Sequence, residues 1–433
     1  MNKEDMLDIL DNWIVEYRGK KLEKVEKEII FRTWQGDEYD KMADLGLSLD
    51  YIKRKKAPDL WKLFSEILGE RVTKKNFKLI TEKVIEKRLH SPQLFKAPQR
   101  QDWGDIPEVP IFYGRQDDLL TLKQWILTDS CRVVGVWGMA GMGKTALSVQ
   151  LSQQLANQFQ FVIWRSLHYP QSVLNILTDW LQFFSADSEI LSPHTFPNLV
   201  SQLMDYLRNY RCLLVLDEVG SLFAMGQLAG KYRKEYQEYG YLFRLIAETK
   251  HQSCLLLISL EKSRELDLLD GDNYPVRYYK LKGLAKRDAK LLLREKGLAD
   301  ESELSSLIEQ YEGNPLYLNI ISGMILDLFN GKASDFLRKN ATLLDEIKDL
   351  LNEYLQRLSK LEIEVMYQLA IASSPLNIDR IQQAIPTPVS ASLLMEALKS
   401  LRGRSLVEKI TENDEPLFVL SRIICQYILE RFL

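Results

Sequence analysis

RVVGVWGMAGMGKTAL, residues Arg132 to Leu147, is the stretch on which the reading of this chain turns. An apolar run (Val133, Val134, Val136) leads into Gly138-Met139-Ala140-Gly141-Met142-Gly143-Lys144-Thr145, which fits the phosphate-binding pattern G-x-x-x-x-G-K-[ST]. Glycines at these positions let the backbone turn tightly, so that successive N–H groups converge on a di- or triphosphate. Lys144 adds a point charge at the β/γ-phosphates, and the Thr145 hydroxyl completes a Mg²⁺ shell. Gly138, Met139, Gly141, Met142, Gly143, Lys144, Thr145 and Ala146 are the predicted nucleotide-binding residues, and the helix that follows, with a core stripe of Leu147, Leu151 and Leu155, aims the positive end of its dipole at the same anion. A glycine-rich turn between any strand and helix is the plainer alternative. The flanking strand-like and helix-like segments are the context that the phosphate chemistry requires, so the stretch predicts a bound nucleotide.

Length and composition set the frame. A chain of 433 residues exceeds one ordinary core and suggests two to four domains. Its 46% hydrophobic and 27% charged residues are those of a globular protein, with no secretory signal and no membrane span legible. Cys131, Cys212, Cys254 and Cys425 are scattered, three of them in or beside apolar runs, and complete no zinc spacing with the four histidines. These features predict a cytoplasmic protein without a membrane partner or a structural metal.

The net charge of −3 is unevenly spread. Residues 1–50 carry 8 basic and 13 acidic side chains and residues 51–100 carry 14 and 5, so the first hundred are +4 and the remainder −7. Residues 1–90 read as helical. Leu22, Val25, Ile29 and Ile30 form one stripe, and Tyr39, Met42 and Leu45 form a second, closed by Gly46. Ser48 then suits an N-cap for Leu49 to Lys56, and Pro58 breaks the pattern before Leu60, Leu63, Phe64, Ile67 and Leu68 resume it. That arrangement fits a helix-turn-helix whose second helix presents Lys53, Arg54, Lys55 and Lys56 to DNA, or a protein-interaction module whose lysines are a solvated face. Residues 91–110, with four prolines, read as a linker.

Five strands are predicted beyond it: Arg132–Gly138, Phe161–Ser166, Cys212–Asp217, Cys254–Ser259 and Val276–Leu281. Helical stretches separate most of them, which is the alternation of a parallel sheet, and CLLVL and CLLLI suit central strands covered on both faces. RCLLVLDEVG ends in a carboxylate pair. Asp217 at a strand end is where a Mg²⁺–water shell needs a hard oxygen, and Glu218 could orient and deprotonate an attacking water. An acidic strand-end cap is the plainer reading of either residue alone. From residue 346, helices over Leu350–Leu358, Ile363–Ala372 and Ala391–Leu401 precede a hairpin (Ser405–Ile410, Leu417–Leu420), the pattern of a winged helix.

Beyond the phosphate loop, FYGRQDDLLTLKQWI, FVIWRSL, GKYRKEYQEYGYLFRLIAETKHQSCLLLI and YEGNPLYL resemble, in order, stretches of the NB-ARC group of STAND P-loop NTPases. Residues 20–90 resemble the helix-turn-helix-like N-terminal domain of von Willebrand-A/MoxR-associated proteins. The resemblance implies a multidomain α/β and α chain. Its parts would be a helical domain at 1–90, a linker at 91–110, a parallel α/β nucleotide domain at 111–282, a helical domain at 283–345 and a winged helix at 346–433. It implies an ATP/ADP switch with slow Mg²⁺-dependent hydrolysis in signalling or defence, a protein partner for the N-terminal domain, and a nucleotide-dependent homo-oligomer. A DNA-binding regulator and an ADP-bound adaptor without turnover stay open as alternatives.

By the same resemblance Arg115 lies near the base and ribose, and Pro315 sits against the base from the helical domain. Three departures stand out. Where relatives carry an arginine after the fourth strand, this chain has Ile258-Ser259-Leu260, with Arg264, four residues on, as a candidate substitute. The histidine of eukaryotic relatives has no counterpart near Leu420-Ser421-Arg422. No internal repeat is legible in 433 residues, whereas the resemblance implies a repeat sensor, either on a separate protein or lost from a shortened form.

Overall fold

The computed structural model describes residues 10–11, 14, 20–37, 39, 49–68, 70–81, 99–185, 195–298, 301–339, 343–372 and 374–432. They fall into two compact units, Met1–Lys96 and Ala97–Leu433.

The first unit is helical. Helix α1 (Lys24–Gln35) ends on Gly36, whose φ of 87° lets the chain leave in the left-handed conformation. Helix α2 (Leu49–Tyr51) passes through a π-helical turn (Ile52–Lys56) directly into α3 (Ala57–Leu68). Pro58 therefore does not end the helix. A proline in a regular helix loses one hydrogen bond and presses its ring on the preceding turn; the wider π-turn just before it, closed by Ala57 N–H to Ile52 O, loosens that crowding. Leu22, Ile29, Ile30, Ile52, Leu60, Trp61, Phe64 and Phe77 close one core, and the Trp61 indole N–H donates to Tyr39 Oη at 2.8 Å. The predicted positions Met42, Leu45, Gly46 and Ser48 lie outside the described residues.

The second unit is built on a six-stranded sheet in the order β1-β3-β4-β5-β2-β6. Its strands are β1 (Arg100–Asp102), β2 (Val133–Trp137), β3 (Phe161–Ser166), β4 (Cys212–Asp217), β5 (Cys254–Ser259) and β6 (Val276–Lys280), and every pairing is parallel. Four strands fall within a residue of their predicted ends or on them. The fifth, β2, begins and stops one residue inside its prediction. Strand β1 is the difference: it lies within the stretch read as a linker, too short to show a hydrophobic period, and residues 91–98 of that stretch lie outside the described residues.

Alternate strand residues enter two different cores, because successive side chains in a strand point to opposite faces. Val134, Val136, Val162, Trp164, Val215, Leu256 and Ile258 face one, and Val133, Ile163, Leu214, Leu216, Leu255 and Leu257 face the other. The second face is covered by helices α6 (Val173–Phe184), α7 (Phe196–Asn209) and α8 (Gln237–Glu248). On the first face lie α4 (Gln116–Lys123) and α5 (Lys144–Leu155), and the same core runs on without a break into α9 (Lys286–Glu295), α10 (Glu301–Gln310) and α11 (Pro315–Phe329).

That core continues through α12 (Asp345–Gln356), α13 (Lys360–Ile371), α14 (Ile378–Ala384) and α15 (Ala391–Gly403). An antiparallel hairpin follows, β7 (Val407–Glu412) with β8 (Glu415–Leu420), and helix α16 (Arg422–Phe432) packs on α13. The hairpin turns on Asn413 and Asp414, both at positive φ (49° and 64°), the conformation that two-residue turns demand and that Asn and Asp tolerate.

Candidate nucleotide site and family

The register of the sheet places the loop and the acidic strand end. Trp137, the last residue of β2, lies abreast of Ser259 on one side and Lys280 on the other. Leu216 pairs with Leu257, so Asp217 ends β4 one residue behind that line, with β5 between it and the loop. All these strand ends are carboxyl ends, where open parallel sheets bind their ligands.

Gly138, Gly141 and Gly143 have φ of 148°, 79° and 86°. A Cβ at Gly138 would stand 2.7 Å from Leu281 O, and one at Gly141 would stand 2.6 Å from both Asn314 Oδ1 and Leu316 Cβ. The pattern's glycines are thus required by backbone conformation and by close packing. Met139 and Met142 are buried in the core beneath the loop. Lys144 is buried, and its ammonium donates to Gly138 O at 2.9 Å and Met139 O at 2.8 Å. Burial pulls its pKa down to about 8, while the nearby Asp217 charge opposes the fall.

Asp217 is buried and accepts hydrogen bonds from the Thr145 hydroxyl and from Glu218 N–H at 2.8 Å. Desolvation lifts its pKa to about 6 against those bonds. Such a carboxylate gains from a cation, and with Thr145 it forms the hard-oxygen pair that suits Mg²⁺; the residues present fit that ion. Glu218 is half exposed with a left-handed φ of 57°, and its Oε2 lies 3.0 Å from His168 Nδ1 and 3.2 Å from Ser166 Oγ.

Arg115 does not reach outward. Its guanidinium donates to Met142 O (2.8 Å), Lys282 O (2.8 Å) and Gly283 O (3.4 Å), clasping the loop to the chain after β6, and Asp118 stands 3.6 Å away. Burial lowers its pKa. Pro315 is the first residue of α11, and Asn314 before it caps that helix through Leu316 N–H (3.0 Å) and Tyr317 N–H (3.4 Å). The Asn314 amide also donates to Ala140 O at 2.9 Å, and Leu316 N–H approaches Gly141 O at 3.3 Å. Ala140 N–H in turn donates to Tyr354 Oη at 2.8 Å.

Sequence reasoning missed Tyr354, whose position on an amphipathic helix carries no signal, and named Pro315 but not the adjacent Asn314, which contacts the loop. It also missed Arg357. Its Nη2 donates to Gly220 O at 2.7 Å and pairs with Glu261, the residue after Leu260. Arg264 is exposed.

Residues 115–232 match the NB-ARC domain family, and residues 1–84 match the family described as the vWA-MoxR associated protein N-terminal HTH. Residues 115–232 are thus an NB-ARC domain. It is 38% identical over 340 residues to an uncharacterized WD repeat-containing protein of Nostoc sp., a match that covers 76% of this chain and 27% of that one. It is 23% identical over 319 residues to the disease resistance protein RPP4 of Arabidopsis thaliana, covering 71% and 25%. The chain therefore spans about a quarter of the length of these relatives. Among solved structures, the Walker-type ATPase of Pyrococcus abyssi shares the fold at 15% identity and a TM-score of 0.50, covering 73% of this chain and 96% of that one. Among the described residues, no helix is long and apolar enough to cross a membrane.

Proposed function

We propose that the chain is an ATP/ADP-dependent switch in which the phosphate loop reports its occupancy to the helices that follow it. The observation that carries this reading is the grip on Ala140: its N–H is taken by Tyr354 of α12 and its carbonyl by Asn314 at the start of α11. Phosphates drawing on the loop's backbone N–H groups would compete with the Tyr354 bond, so nucleotide state and helix position are coupled through a single peptide. In this reading residues 111–282 form the nucleotide domain, 283–345 a helical domain and 346–433 a winged helix, and the last two move against the first.

Lys144 binds the β/γ-phosphates once it leaves the loop carbonyls. Thr145 and Asp217 hold Mg²⁺, which when bound neutralises charge on those phosphates. Glu218 orients and deprotonates the attacking water, with Ser166 and His168 holding its carboxylate in place. The buried Arg115 clasp supports slow turnover, because it fixes the loop to the chain after β6 and resists rearrangement. The N-terminal unit is read as a protein-interaction module rather than a DNA reader. Lys56 is tied to Glu23 (2.7 Å) and Glu26 (3.4 Å), and Arg54 pairs with Asp50 at 3.2 Å, so part of the predicted basic face is already engaged within the unit.

The test is to release and chromatograph the nucleotide carried by purified protein, then to follow ATP turnover with Mg²⁺. Retained ADP with slow turnover is expected. Lys144→Ala should lose the nucleotide, and Glu218→Gln should keep ATP but cleave it more slowly. A Lys144→Ala protein that still holds its nucleotide would overturn the site, and undiminished turnover in Glu218→Gln would remove the general base.

A further inference from the structure

A cleft of about 630 Å³ lies apart from the loop's phosphate face, between the carboxyl ends of β2 and β6 and the final helix–hairpin module. Its walls carry seven cations (Lys262, Arg264, Lys280, Lys282, Lys399, Arg402 and Lys409) and three carboxylates (Asp267, Glu396 and Glu408). The excess is four positive charges, 7 − 3, in a chain whose net charge is −3. The three carboxylates do not balance the set. Glu408 pairs with Lys280 at 2.9 Å, Asp267 with Lys399 at 2.7 Å and Lys262 at 3.7 Å, and Asp270, behind the wall, with Lys262 at 2.8 Å, while Arg264, Lys282, Arg402 and Lys409 are exposed beside them.

The floor is aromatic. The Lys262 ammonium lies 5.2 Å from the Trp137 ring centre and 4.8 Å from that of Tyr278, and the Lys280 ammonium lies 5.9 Å from Trp137. The indole N–H of Trp137, a residue 93% buried, has no hydrogen-bond partner. A buried donor left unpaired is a cost that folding ordinarily avoids. Clefts lined by one sign of charge focus the field and concentrate the counter-ion, and this volume is that of a small-molecule site rather than of a nucleic-acid track.

We propose that this cleft binds a small polyanion, a molecule carrying at least two phosphoryl groups, at a site separate from the nucleotide loop. The walls belong to different parts of the unit: Lys262 follows β5, Lys280 ends β6 and Lys282 follows it, whereas Lys399, Arg402 and Lys409 come from α15 and β7. A ligand that drew on both sets would replace the Lys280–Glu408 and Lys399–Asp267 pairs as the bridge between them. The site would thus read a second anion onto the junction of the helix–hairpin module with the sheet.

Calorimetric titration of inorganic pyrophosphate into the full chain saturated with ADP tests this. One equivalent should bind, with affinity falling as salt is raised. The double variant Arg402→Glu, Lys409→Glu should weaken it at least tenfold with ADP affinity unchanged, since neither residue touches the loop. Circular dichroism and ADP binding of the variant report that it is folded. Absence of heat in the ADP-saturated protein, or complete competition by ADP, would place pyrophosphate on the phosphate loop alone and overturn the second site. Equal binding by the double variant would overturn it as well.

Discussion

Tyr354 Oη accepts the Ala140 N–H at 2.8 Å, so a residue more than two hundred positions downstream holds the phosphate loop by its own backbone. The phenol is buried, and burial raises its pKa far above the usual tyrosine range, so it stays a neutral hydrogen-bonding group. Tyr354→Phe should keep the fold, costing about 1 kcal/mol for one neutral hydrogen bond. It should release ADP several-fold faster. Stopped-flow measurement with a fluorescent ADP checks this, and an unchanged release rate would detach the helix from the loop.

Asn314→Ala should cost more, about 2 to 3 kcal/mol in denaturant unfolding. It removes the cap of α11 and leaves Ala140 O without its amide donor in a buried site.

The pH profile of Mg²⁺-dependent turnover should be bell-shaped. Asp217, with its pKa raised to about 6, must be ionised to hold a cation, so activity falls as pH drops through 6. Lys144, lowered to about 8, must be charged to hold phosphate, so activity also falls as pH rises through 8. For the unliganded fold the signs run the other way. The ionised Asp217 is disfavoured relative to the unfolded chain, so its contribution to stability falls as pH rises from about 4 to 6. The charged Lys144 is likewise disfavoured, so its contribution improves as pH rises from about 8 toward 10.5. Thermal unfolding against pH, with and without ADP and Mg²⁺, separates the two effects.

Glu261 is almost wholly buried and is shared by Arg357 (2.5 Å) and Arg404 (3.2 Å); Arg404 in turn lies 3.5 Å from the buried Glu362. Glu261→Ala leaves two guanidinium groups in low dielectric with one carboxylate nearby. A loss of about 3 to 5 kcal/mol is expected in denaturant titration. A loss below about 1 kcal/mol would show that water reaches the cluster freely.

Gly141→Ala should disable the loop, because the new methyl meets Asn314 and Leu316 and the backbone stays at φ 79°. ADP affinity should fall more than tenfold. Gly143→Ala carries only the conformational cost, about 1 to 2 kcal/mol, since nothing lies within 4 Å of the added atom.

Much of the sheet and the loop was legible because the physics there is local. A buried parallel strand must be apolar throughout, as CLLVL and CLLLI are, and a phosphate turn must spend glycines where φ is positive. The contacts that hold the loop were not legible. Tyr354 is one apolar-facing residue among several on α12, and Arg357 follows a helix whose pattern only says that it packs. Which side chain meets which peptide depends on the tertiary arrangement, to which no spacing in the sequence refers. Pro58 failed for a related reason: the break it signals is absorbed by a π-turn that depends on the packing of Ile52. Strand β1 escaped notice because three polar and charged residues, Arg-Gln-Asp, show no strand period of their own and join the sheet by pairing with β3.

That edge strand is held to the sheet on one side only, by its pairing with β3. The chain enters the second unit through Arg100–Asp102, which are held by three paired positions on β3 and by the Asp102–Arg165 ion pair at 2.6 Å. Peeling those three residues from the edge would pay out roughly 10 Å of extended chain. The five remaining strands, and the loop seated on β2, would stay as they are. Detaching this edge strand would cost one salt bridge, the Arg100–Phe183 hydrogen bond and a short ladder, and the strands that carry the nucleotide site would keep their own pairings.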